Sequence, residues 1–504
     1  MRRLLVPSLI PLLVYVNLNV AFPRHNYTAL RNEILEYEQR LMVGANLMLN
    51  EVERVANEIL TEARNEELKA GFKNPQLFAP ARNFIEARED IEKSKVFKFL
   101  RSMPKGAVLH AHDTSLVTSD YIYHNITFRD DLYVCIVDSV VKLRFFKVPD
   151  QTCNWTLLKN VREDPEQGEI VNKMIEKRLS MEVNDTAAAY PNVDKAWNKF
   201  GDIFAFIHPL VTYRPVYEDH FIEALEQLYQ DNVMYLELRS TLPTLYDFEG
   251  THYLPEDVIG IYERLTERFK KEHPDFVGVK IIYAPVRSNT HQRTEENIKT
   301  MKLLKRKYPK FMAGFDLVGQ EEKGHTLKYF ADILTKNEEE NINFFFHAGE
   351  TNWLGTSTDE NLVDAILLNT KRIGHGYALD SHPFLLELTK RLDIAIEINP
   401  ISNQVLKLVD DLRNHAARRL FSEGYPVVIS NDDPGFWGSR ALSYDFYEAF
   451  MALMSKHADL RSLKQVALNS LHYSSLSNSE KEKALALWQA KWDAFVEDVV
   501  RDNY

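Results

Sequence analysis

Residues 343–350 read NFFFHAGE. Three consecutive phenylalanines form a short, wholly apolar run, which suits a strand buried among its neighbours. The run then delivers His347 and Glu350 with only Ala348 and Gly349 between them. An apolar strand that ends in titratable groups is the pattern of a barrel enzyme, where chemistry sits at the C-terminal ends of the strands.

Seven further segments behave similarly. Strands are expected at 107–112, 233–239, 277–284, 312–318, 372–375, 394–398 and 427–431, besides 343–347. Helical patterns lie between them at 219–230, 255–271, 295–307 and 327–335, and two more follow the last strand at 444–456 and 480–500. Regular strand–helix alternation implies parallel strands joined by crossovers, and eight units close a (β/α)8 barrel. A doubly wound open sheet is the alternative, but no G-x-G-x-x-G follows the first strand to support its dinucleotide-binding form.

The expected fold is therefore α/β: a (β/α)8 TIM-type barrel over 104–504 with two additions. Residues 22–103 form an N-terminal helical region, in which Leu30, Ile34, Leu41, Val52, Val55 and Ile59 recur at helical spacing from 27 to about 69. The gap between the first and second strands is too long for a plain crossover, so 121–190 is expected to be an inserted subdomain.

The 504 residues are 45% hydrophobic and 27% charged, as in a globular protein, and the formal net charge is −12. That balance argues against a nucleic-acid partner, which needs a basic face. Residues 1–21 combine Met1-Arg2-Arg3, an apolar stretch and Ala21, the pattern of a secretory signal peptide. Sequons begin at Asn26, Asn125, Asn154 and Asn184, which are glycosylated only on the secretory route. The only two cysteines are Cys135 and Cys153. In an oxidising compartment they are expected to pair, and otherwise they are two free thiols.

The polar residues at the strand ends carry the chemistry. His110-Ala111-His112 ends the first strand, and residues i and i+2 of a strand share a side. His347 ends the fifth, His375 stands between two glycines after the sixth, and Asp432-Asp433-Pro434 follows the eighth. Each alone has an ordinary reading, as a core histidine or a helix cap. On one face of one barrel they read as a site. His110, His112, His347 and Asp432 suit one zinc ion per subunit, which lowers the pKa of a bound water towards neutral. The fourth strand ends FDLVG at 315–319, with no lysine to bridge a second metal. A Cys-x-x-Cys zinc motif is impossible, because the cysteines lie 18 positions apart.

HAHD at 110–113, FDLVG at 315–319, HAGE at 347–350, RIGHG at 372–376 and NDDP at 431–434 resemble the adenosine deaminase family. MPKGAVLHAHD at 103–113, VYEDHF at 216–221, NPISNQVL at 399–406 and SYDFYEAF at 443–450 resemble its secreted, growth-factor-related branch. The resemblance implies hydrolysis of adenosine, and of 2′-deoxyadenosine, to the inosine product and ammonia outside the cell. It implies Glu350 as proton donor to purine N1 and His375 as the residue that orients or deprotonates the water. It implies Asp433 at N7, the Gly319 N–H at N3, Asp113 at the ribose and Trp197 as a wall of the nucleoside pocket. It further implies a homodimer formed through the N-terminal helices, and a receptor- or glycosaminoglycan-binding role for the insertion. One departure concerns the sugar. Some relatives carry a histidine where this chain has Val286, which cannot make that hydrogen bond.

Overall fold

The computed structural model describes residues 26–336 and 342–502; the expected signal segment 1–21 lies outside them. Four parallel strands form one run: β1 (Gly106–His112), β2 (Val233–Ser240), β3 (Gly278–Tyr283) and β4 (Met312–Phe315). Four more form a second: β5 (His347–Ala348), β6 (Arg372–His375), β7 (Ala395–Ile398) and β8 (Val427–Ile429). Backbone bonds join the runs at both ends. Phe315 N–H donates to Asn343 O at 2.9 Å and Phe345 N–H to Phe315 O at 3.0 Å. Across the other seam His112 N–H donates to Asp432 O, and Asp432 N–H to His110 O, each at 3.1 Å. The strands therefore follow one another around a ring in chain order, as a (β/α)8 barrel requires.

The fifth strand is shorter than the apolar run suggests. Regular pairing covers only His347 and Ala348, preceded by a single bridge between Phe315 and Phe344. Thr370 is the reason, since its hydroxyl accepts the Phe346 N–H at 3.2 Å and stands in for part of the ladder to β6.

The stretch 27–69 forms two helices. Helix α1 (Tyr27–Leu41) ends before Gly44, whose φ is +83°, and α2 (Glu51–Lys73) starts behind a capping box between Asn50 and Glu53. Any side chain at Gly44 would collide with the backbone carbonyl of Arg461. Helix α2 docks on the C-terminal helix Asn478–Asp502, where Trp492 Nε1–H donates to Glu53 at 2.7 Å. Helix α1 buries no residue of its own.

Between β1 and β2 the chain forms an antiparallel hairpin, Leu132–Val137 with Val140–Phe145, flanked by Thr156–Leu157 and by the helix Pro165–Leu179. Alternating buried and exposed residues in the second strand show one face packed and one open. Cys135 and Cys153 are joined as a disulfide, with Cα atoms 6.3 Å apart. Asn26, Asn125, Asn154 and Asn184 are all exposed. Helix α3 (Val193–Val211) then leads back towards the barrel. No described helix is long and apolar enough to cross a membrane.

Candidate active site

Strand geometry brings four distant residues together. β1 projects His110 and His112 from one side, β5 begins at His347, and Asp432 follows β8. One ligand atom from each of these four residues lies within 4.8 Å of every other. Asp432 has φ +58°, a left-handed turn that swings its carboxylate inward where a strand would have continued.

Buried acids set the histidine tautomers. His110 Nδ1 lies 2.7 Å from Glu397 Oε2, and His347 Nδ1 lies 2.7 Å from Asp316 Oδ2. An ionised carboxylate only accepts, so both Nδ1 atoms carry the proton and both Nε2 lone pairs face the centre. Burial would raise the Glu397 carboxyl, but Arg239 and Arg372 outweigh it and hold the group well below the usual range. Burial also pushes His347 down to about 3, so the ring is neutral.

The centre has the marks of a metal site. His110 Nε2 and Asp432 Oδ1 are buried with no hydrogen-bond partner. Such orphans are costly unless something else satisfies them. The Nε2 atoms of His110 and His112 lie 3.2 and 3.0 Å from Asp432 Oδ1, the spacing of ligands around one small cation. Three imidazoles and one carboxylate fit zinc chemistry. Ser402 Oγ–H donates to the other Asp432 oxygen at 2.6 Å and fixes its rotation.

Glu350, His375 and Asp433 stand beside this centre, while Asp113 and Gly319 follow the ends of β1 and β4. Glu350 is buried, and burial together with Asp432 and Glu321 pushes its carboxyl well above the ordinary value. His375 has φ +61°, and its Nε2 lies 3.7 Å from Glu350 Oε1 and 3.6 Å from Asp432 Oδ2. Asp433 accepts a short bond from the Ser115 hydroxyl, and burial beside Asp432 raises its carboxyl. Asp113 accepts from Ser240 Oγ–H at 2.5 Å and from Tyr262 Oη–H at 3.1 Å. Gly319 has φ +98°, and the space beside its Cα is open to 4 Å.

Trp197 is half-buried on α3 and packs edge-on to Phe200 at 5.3 Å. The helix leans on the turn after Asp433, through Phe200 and Phe204 against Phe436. Val286 pairs with Val318 and is 40% exposed, an apolar side chain that offers no hydrogen bond. The disulfide and the sequons at 125, 154 and 184 belong to the stretch between β1 and β2 and contribute no atom to the centre.

Several residues of this site escaped the sequence reading: Glu397, Glu321, Ser115, Ser402, Asn403 and His415. Glu397 had a readable signal, because an acid inside the apolar strand AIEI must have a buried partner. Asn403 and His415 had none, since their contacts with His375 and with each other arise only when a strand end, a short helix and a turn are brought together.

The barrel and its three-histidine, one-carboxylate centre define a class, the hydrolase barrels that collect polar residues at their strand ends. The family model described as Adenosine deaminase matches residues 173–489, and that described as Adenosine/AMP deaminase N-terminal matches 9–100. "Adenosine deaminase" of Phlebotomus duboscqi is 46% identical over 487 residues, covering 95% of this chain and 93% of that protein. "Adenosine deaminase 2" of Homo sapiens is 40% identical over 476 residues, covering 93% of each. Among solved structures, the N6-mAMP deaminase of Arabidopsis aligns with a TM-score of 0.55 at 18% identity, covering 78% of this chain and 99% of that one. This chain belongs to the adenosine deaminase family, and its relatives include proteins of the adenosine deaminase 2 type.

Proposed function

We propose that this protein is a zinc-dependent deaminase of adenosine and 2′-deoxyadenosine that works outside the cell. One observation carries the reading: a buried carboxyl raised well above its ordinary value, Glu350, lies beside His375 next to a cluster suited to a cation. His110, His112, His347 and Asp432 would hold the ion. A zinc ion bound there supplies activation of water near neutral pH.

The protein groups do the rest. Glu350 gives its proton to purine N1, which makes C6 electrophilic. Water adds at C6, the bond from C6 to the amino nitrogen breaks, and ammonia leaves. His375 orients that water from beside Glu350 and Asp432. Asp433, raised by burial, is the form that can donate to N7. The Gly319 N–H meets N3 in the open space beside its Cα. Asp113, already steered by Tyr262 and Ser240, holds the ribose, with Trp197 as a wall and the apolar Val286 offering the sugar no bond.

The exposed sequons, the paired cysteines and the 1–21 segment support secretion with glycans on Asn26, Asn125, Asn154 and Asn184. The apolar residues Tyr27, Ile34 and Tyr37 of α1 are exposed, which supports a homodimer through the N-terminal helices. The subdomain at 121–190 is the proposed contact for a cell-surface receptor or glycosaminoglycan, and removal of adenosine is one route to a growth-factor effect.

The test is direct. Purified protein is incubated with adenosine, and the absorbance change to inosine is followed with and without a chelator. Turnover that stops on chelation and returns with zinc supports the reading. A folded, zinc-containing sample without turnover overturns it.

A further inference from the structure

His375 is tied into a buried chain of hydrogen bonds that starts at a backbone donor. The Ala417 N–H donates to His415 Nδ1 at 3.0 Å. A backbone N–H can only donate, so His415 Nδ1 is an acceptor. Burial pushes His415 down to about 3 and keeps it neutral, so its proton sits on Nε2. His415 Nε2 lies 2.9 Å from Asn403 Oδ1, which must accept. That fixes the amide, whose Nδ2 then donates to His375 Nδ1 at 3.0 Å. His375 Nδ1 is therefore unprotonated, and its proton is on Nε2. His375, Asn403 and His415 are all at most 3% exposed, so water does not compete for these bonds.

The contrast with the neighbouring histidines is chemical. His110 and His347 meet carboxylates at Nδ1 and turn a lone pair inward. His375 meets an amide donor at Nδ1 and turns an N–H inward, although its ring centroid is only 4.9 Å from that of His110 and 5.2 Å from that of His347. A protonated nitrogen cannot ligate a metal, but it can donate to an oxygen.

We propose that Asn403 and His415 are positioning residues that fix His375 as its Nε2–H tautomer, keeping it out of the metal's ligand set and aiming a donor at the water that adds to C6. The role in turnover rests on the deaminase reading above, whereas the tautomer does not.

Two measurements separate those claims. Neutron diffraction from crystals of the deuterated, zinc-loaded full chain locates the protons. Deuterons on Nε2 of both His375 and His415 are expected, and a deuteron on His375 Nδ1 alone overturns the proposal whatever the substrate is. Kinetics then tests the role. The variant Asn403→Asp keeps the shape but can only accept, so Nδ1 must take the proton. Its kcat with adenosine should fall by about 10²–10⁴-fold, with KM within about threefold and zinc content unchanged. His415→Gln, which can still donate to Asn403, should keep far more kcat than His415→Leu. A wild-type kcat in Asn403→Asp overturns the proposal. So does equal loss in both His415 variants, since that marks a packing role. If Asn403→Asp does not fold, the His415 pair decides. If wild type does not turn over adenosine, the deaminase reading fails and the neutron result still stands.

Discussion

Glu321 accepts the backbone N–H of Glu350 on one carboxylate oxygen at 2.7 Å, and that of Gly349 on the other at 2.9 Å. The residue that shapes the turn is thus also an anion beside the proposed acid. After burial and Asp432, it is among the groups that push the Glu350 carboxyl up. Activity that needs the protonated form is present below the raised pKa and lost as pH climbs through it. Glu321→Gln removes one raising charge, so Glu350 should lose its proton earlier. The alkaline limb of the kcat/KM profile should move to lower pH, and an unmoved limb counts against Glu350 as the acid.

Glu350→Gln keeps the volume but removes the transferable proton. A loss of about 10²–10⁴-fold in kcat is expected. Zinc content, measured by elemental analysis, should stay at the wild-type value because Glu350 is not in the ligand cluster. If growth activity survives in this variant, signalling does not need catalysis.

Metal should couple to stability. Zinc at about a thousandfold excess over its Kd stabilises the folded state by about 4 kcal/mol, which a thermal melt with and without chelator detects. His347→Ala deletes one of the four clustered residues and should abolish most of that difference. An equal chelator effect in the variant would place the ion elsewhere.

The disulfide between Cys135 and Cys153 closes a loop with a sequence separation of 18. Replacing both by serine should destabilise the inserted hairpin by about 3 kcal/mol. Proteolysis of the insertion should accelerate, while kcat on adenosine stays near wild type, because no atom of the hairpin joins the ligand cluster.

Ile34 and Tyr37 are 55% and 54% exposed on a helix that buries nothing within its own chain. Changing both to glutamate should convert a dimer to a monomer in light scattering. A wild-type mass of one glycosylated chain would remove the dimer proposal altogether.

Local pattern sufficed for much of this protein. Period-two alternation put His110 and His112 on one side of β1, and the apolar run NFFF announced a strand that ends at His347. The order of strands and helices named the barrel, because neither feature depends on distant partners. Tertiary structure decided the electrostatics. Glu397 reaches His110 across 287 positions of sequence, and no local window contains both. Whether Glu350 is protonated depends on burial and on Asp432 and Glu321, which only the folded chain brings near. Three histidines that look alike in sequence are divided by what touches Nδ1: carboxylates at His110 and His347, an amide at His375. A tautomer is set by the direction of a hydrogen bond, and those directions exist only after the barrel has closed.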